Sequence, residues 1–213
     1  MSAQQDDLAP ADRVAGSTSA GVPHPPPAVR SKPPLLNIAN VLTVLRLILV
    51  PVFLMALFVD GGHNSGWRII AAIVFAVAAI TDRIDGQLAR KYGLVTDFGK
   101  LADPIADKAL MGAALVGLSV LGELSWWVTG IIAAREIGIT VLRFAVLRHG
   151  VIPASRGGKA KTLVQAIAIG LYLLPLAGFA HTVAVWVMAV AVALTVLTGL
   201  DYLAQAARLR AGS

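Results

Sequence analysis

Four aspartates are the residues of this chain best placed to do chemistry. Asp82 and Asp85 lie on one apolar stretch, and Asp103 and Asp107 on the next, 21 residues further on, in the string TDRIDGQLARKYGLVTDFGKLADPIADK. A carboxylate inside a segment apolar enough to cross a bilayer is costly and marks a functional site by default. At 100° per residue on a helix, Asp85, Gly86 and Ala89 fall at about −60°, +40° and −20° from Asp82, so the four share a face, with Arg90 at its edge. Gly99, Asp103 and Asp107 are spaced by four and fall within a stripe about 80° wide. Two neighbouring antiparallel helices can therefore aim all four carboxylates at one gap.

Such a group does not stay ionised unaided. Two charges about 6 Å apart repel by about 3 kcal/mol at an effective dielectric near 20, so protons or cations must neutralise them. Oxygen-only ligands select hard ions, which favours Mg²⁺ or Mn²⁺ over zinc. Four carboxylates suit two such ions, an arrangement that serves phosphoryl transfer. The four histidines, His24, His63, His149 and His181, all lie outside the cluster. The small residues Gly86, Ala89 and Gly99 leave room for a ligand or, equally, for close helix packing. Arg90 suits a diphosphate or, alternatively, anchors a helix at the membrane surface. Pro104 either starts its helix or frees a backbone carbonyl.

The elements that must position these residues are helices in a membrane. Of 213 residues 57% are hydrophobic and 14% charged, against about 25% charged in soluble domains. With no cysteine, disulfides, thiolate metal sites and cysteine nucleophiles are excluded. Six apolar segments, about 38–59, 68–91, 101–121, 126–147, 162–180 and 182–204, each have about the 20 residues a span needs. An all-α, six-helix membrane protein is expected, with breaks at 60–66, 92–100, 122–125 and 148–161 and a tight hairpin near His181. Residues 1–35, rich in proline, are expected to be a disordered cytoplasmic tail and not a signal peptide. Residues 36–205 form the domain, and 206–213 a short second tail.

Of the 18 Lys and Arg, twelve lie on the tails and on the second and fourth loops, and only Arg68 borders the other side. That bias places both termini in the cytoplasm, and Trp67, Trp126 and Trp127 at the opposite interface. The basic balance then records topology and anionic headgroups, which argues against nucleic acid as a partner. Counted from Lys91 and Lys100 at 1.5 Å per residue, the aspartates lie about 5–13 Å below the cytoplasmic rim. The expected site is shallow and opens to the cytoplasm.

The pattern Asp82-x2-Asp85-Gly86-x2-Ala89-Arg90-x8-Gly99-x3-Asp103-x3-Asp107 resembles the signature of the CDP-alcohol phosphatidyltransferases, with every defined position filled. The resemblance covers about residues 36–205. The opening from Asn37 to Arg46, Arg135-Glu136, and the run from Ala154 to Thr162 are most similar to the phosphatidylglycerophosphate synthase subgroup. The resemblance implies CDP-diacylglycerol as donor, glycerol 3-phosphate as acceptor, and a place in the inner (plasma) membrane among its lipids. It implies that Asp82, Asp85, Asp103 and Asp107 hold two Mg²⁺ ions, with Asp107 as general base. Gly86, Ala89 and Gly99 would admit the donor, Asn40, Thr43 and Thr96 would offer it polar contacts, and Arg90 would meet a phosphate oxygen. Arg135, Arg143, Arg156, Lys159 and Lys161 are the candidate cations for the acceptor phosphate. Members of the family are often homodimers, and the resemblance extends that option to this chain. Other acceptors within the family (inositol phosphate, phosphatidylglycerol or serine) stay open. A divalent-cation transporter and a helix-pairing scaffold are the readings from other classes, but a transporter's acids should line both leaflets or sit at the midplane.

Overall fold

A computed structural model describes residues 38–92, 96–146 and 156–211, excepting the side chains of 38–39, 83, 85–92, 97–104, 143–146, 156 and 209–211. The proposed N-terminal tail lies outside the described residues. Within them the chain is helical without strands: α1 Ile38–Phe58, α2 Ser65–Tyr92, α3 Asp97–Val120, α4 Trp126–Val146, α5 Arg156–Leu173 and α6 Gly178–Ala211.

The connections have local causes. After α1 the chain turns through a short 3₁₀ segment, Val59–Gly62, where Asp60, Gly61 and Gly62 take φ of 54°, 61° and 78°. Asn64 then caps α2, its Oδ1 accepting from the Trp67 amide at 3.2 Å. At the end of α3, Gly122 (φ 74°) lets the Glu123 amide reach back to the Leu118 carbonyl at 3.0 Å, a Schellman closure. α3 already runs from Asp97, so Pro104 lies inside the helix and does not start it.

The last two helices differ from the sequence expectation. The break falls at 174–177, and His181 lies inside α6. Pro175 has no amide hydrogen and disfavours helix at the residue before it, so α5 stops at Leu173. At its other end α5 begins at Arg156, which puts Lys159 and Lys161 on its first turns and not on a loop. α6 continues to Ala211 through Ala206, Ala207 and Arg208, all strong helix formers.

α1 packs against α2 and α3, α5 against α6, α2 and α3, and α4 against α6 and α3. Phe53 and Phe75 meet at 6.0 Å between ring centres. Around them Leu57, Leu110, Leu118, Ile132, Ile169 and Leu173 are buried. Gly117 admits the close approach of α1: a Cβ there would stand 2.8 Å from Leu57 Cδ2.

The outside is as apolar as the inside. Ile48, Met55, Ile73, Ile80, Trp127, Ile137, Phe179, Trp186 and Leu197 are all exposed. A surface of that kind is stable against lipid, not water. Within the described residues α1, α2 and α6 are long and apolar enough to cross a membrane. α3, α4 and α5 carry charges within their apolar runs, and three of these, Asp107, Glu136 and Lys161, act on one another at the candidate site.

Away from those charges, near the start of α2, Arg68 holds three elements together. Its Nη1 pairs with Glu123 at 2.5 Å, and its Nη2 and Nε donate to the Tyr172 and Leu173 carbonyls at 2.7 and 3.2 Å. Two of the last carbonyls of α5, which have no helical partner, are thereby satisfied.

Candidate active site

The site is assembled on a buried polar stripe of α1. Asn40, Thr43 and Arg46 are spaced by three, which keeps them on one helix face, and all three are buried. Arg46 is wholly enclosed and pairs with Asp82 of α2 at 2.5 Å, while Asp82 remains about one-third exposed. One turn before it Thr43 is buried, and a further turn back Asn40 Oδ1 accepts from the Thr96 hydroxyl at 2.8 Å. Thr96 immediately precedes α3, so this bond ties the entry of α3 to α1.

Asp107 carries the cluster across to the other helices. It is half-buried, and its carboxylate interacts electrostatically with Asp82, Arg46, Glu136 and Lys161. Charges from five helices thus act around one point. Lys161 is buried at the start of α5 and donates to Glu136 Oε1 on α4. Arg135 Nη1 meets the same oxygen at 3.1 Å, and its Nη2 donates to Thr198 of α6 at 3.2 Å. Lys108 donates to Thr140, whose own hydroxyl donates to the Glu136 carbonyl at 2.7 Å. Between α3, α4 and α5 lies a cavity of about 200 Å³. Asp107, Lys108, Glu136, Lys161 and Gln165 give it a polar region, and Met111, Leu115, Val116 and Ile132 an apolar one.

A sequence model of the CDP-alcohol phosphatidyltransferases matches residues 36–197. The chain belongs to the CDP-alcohol phosphatidyltransferase family. A "Probable phosphatidylglycerophosphate synthase" of Mycobacterium tuberculosis is 63% identical over 174 residues, covering 82% of this chain and 83% of the relative. Proteins named "CDP-diacylglycerol--glycerol-3-phosphate 3-phosphatidyltransferase" are similar too. That of Rickettsia felis is 37% identical over 78% of this chain and 93% of its own. That of Bacillus subtilis is 36% identical over 79% and 94%.

For a member of this family, the described residues bring together Asp82, Asp107, Asn40, Thr43, Thr96 and Lys161 from the sequence-derived set. Lys159 is exposed on the first turns of α5. Arg135 pairs with its neighbour Glu136 and ties α4 to α6, where Gly199 lies against its stem: a Cβ there would stand 3.2 Å from Arg135 Cγ. The side chains of Asp85, Gly86, Ala89, Arg90, Gly99, Asp103, Arg143 and Arg156 lie outside those described. Among the described residues no three acidic or histidine side chains form a metal site. The donor chemistry nevertheless fits a hard divalent cation, since the interacting Asp82 and Asp107 carboxylates offer oxygen only. Asp85 and Asp103 follow and precede them by one helical turn.

Arg46 and Glu136 are the site residues that sequence reasoning passed over. Arg46 was visible as an intramembrane cation, and its spacing from Asn40 and Thr43 is the signal that could have found it. Breaking a buried ion pair by removing one partner is strongly destabilising. Arg46→Met is expected to lower stability by about 3 kcal/mol, read as a fall in the unfolding midpoint of the detergent-solubilised protein; an unchanged midpoint would deny the pair a structural role.

Proposed function

We propose that the chain transfers the phosphatidyl group of CDP-diacylglycerol to glycerol 3-phosphate, yielding phosphatidylglycerol phosphate and CMP. The observation that carries this reading is the convergence of Asp107, Glu136 and Lys161 on one cavity with an apolar extension, with Asp82 interacting electrostatically with Asp107, in a chain so similar to relatives bearing that activity in their names. The primary hydroxyl of the acceptor attacks the phosphorus that bears diacylglycerol. Its proton passes to the Asp107 carboxylate, the new P–O bond forms, and the bond to CMP breaks. Asp107 is suited to this because it alone of the described aspartates lines the cavity.

The four aspartates are the residues that would hold two Mg²⁺ or Mn²⁺ ions. When bound, the ions supply positive charge for the diphosphate and the departing CMP. Arg46 fixes the Asp82 carboxylate on its helix. Asn40, Thr43 and Thr96, with Gly86, Ala89, Gly99 and Arg90, form the donor side. Lys161 faces the acceptor phosphate, with Arg143, Arg156, Lys159 and Arg135 as further cations toward it. All six α-helices cross the inner membrane with both termini in the cytoplasm, as the distribution of Lys and Arg supports. The site opens to that side, the acyl chains stay in lipid, and the chain has the option of a homodimer.

The deciding experiment supplies labelled CDP-diacylglycerol to the purified protein with glycerol 3-phosphate, inositol phosphate, phosphatidylglycerol or serine in turn. CMP release dependent on glycerol 3-phosphate is expected; release with another acceptor alone overturns the reading. Lys161→Ala should raise the KM for glycerol 3-phosphate on the order of tenfold, the loss of one charge-assisted contact. The KM for the donor should stay nearly unchanged, and an equal rise in both would remove Lys161 from the acceptor site.

A further inference from the structure

Gln165 lies four residues beyond Lys161 on α5, on the same helix face and about 6 Å further along the axis. It is buried, only 4% exposed, and lines the cavity between α3, α4 and α5. Its Oε1 has no hydrogen-bond partner among the described residues. Neighbouring polar side chains of the cavity are already engaged: Lys161 with Glu136, Lys108 with Thr140, and Thr129 with Ser119 and the Leu115 carbonyl. A buried amide oxygen left without a donor is costly, so its place in a cavity calls for a guest that brings an O–H or N–H.

Given the acceptor reading above, on which this inference rests, the guest has three polar parts. Its phosphate faces Lys161 and its primary hydroxyl faces Asp107. The secondary hydroxyl on the central carbon is the donor that remains, and Gln165 sits one turn from Lys161 in the same cavity. We propose that Gln165 determines acceptor specificity by accepting a hydrogen bond from the secondary hydroxyl of a glycerol-phosphate acceptor. It neither moves a proton nor contacts the donor nucleotide. Its contribution is to reject acceptors that have the phosphate and the primary hydroxyl but lack the central one. A site built to hydrogen-bond a substrate hydroxyl discriminates well against the analogue without it, because the buried group is then left unpaired.

The test compares glycerol 3-phosphate with 3-hydroxypropyl phosphate, the same molecule without its secondary hydroxyl, by kcat/KM for CMP release. The full-length protein in mixed micelles with CDP-diacylglycerol is used, as wild type and as the near-isosteric Gln165→Met. The wild type is expected to prefer glycerol 3-phosphate on the order of tenfold. Gln165→Met should bring that ratio close to one, chiefly by losing activity toward glycerol 3-phosphate. A variant that loses both acceptors equally, or keeps the wild-type ratio, overturns the proposal. The ratio is internal to each protein, so partial misfolding cancels. If the variant does not fold, the wild type decides alone, because equal use of the two acceptors overturns the assignment while leaving the glycerol 3-phosphate reading intact. A wild type that uses only a different acceptor sinks both.

Discussion

Asp107→Asn is expected to lower turnover about 10²–10⁴-fold, the usual worth of a positioned base, while the protein still folds. Asparagine keeps the size of the side chain and most of its hydrogen-bonding capacity but cannot take the proton of the attacking hydroxyl. The substitution also relieves the mutual repulsion with Asp82 and Glu136, so stability should not fall with activity. The measurement is CMP release by the purified variant at saturating donor and acceptor, beside its unfolding midpoint. Wild-type turnover would remove Asp107 as base, and a collapse of the midpoint would make it a structural residue.

Exhaustive chelation is expected to stop CMP release, with Mg²⁺ or Mn²⁺ restoring it and Zn²⁺ failing to. The argument is chemical. Hard cations take carboxylate oxygens, and the aspartates at 82, 85, 103 and 107 offer no nitrogen or sulfur. Full activity in the chelated protein would leave these carboxylates without the counter-ions proposed for them.

How legible the molecule was depended on the range of the information. Long apolar runs set the existence and order of six helices, because burying the polar backbone in hydrocarbon demands helix over that length. The start of α5 was harder to see. Arg156, Lys159 and Lys161 look like a polar loop by composition, and the buried pair of Lys161 with Glu136 of α4, which ties these first turns of α5 down, is visible only in the structure. Helical spacing puts Asp82 and Asp107 each on a face of its own helix, but it carries no information about which neighbour that face meets. The pairing of Asp82 with Arg46, 36 positions earlier, therefore stayed hidden, as did the union of Lys161 with Glu136. Gln165 gave no signal at all in one sequence, since an orphaned amide oxygen is defined only by what surrounds it.

The three-way grip of Arg68 has a mechanical consequence. It joins the first turn of α2, the turn after α3 and the end of α5. Asp82 is 14 residues along α2, about 21 Å away, and Lys161 is 12 residues back along α5 from Leu173, about 18 Å. Separating α2, the turn after α3 and α5 at that end would break all three contacts of Arg68. Arg68 thus resists opening there and leaves any opening at the aspartate end to be resisted by the Arg46–Asp82 and Lys161–Glu136 pairs.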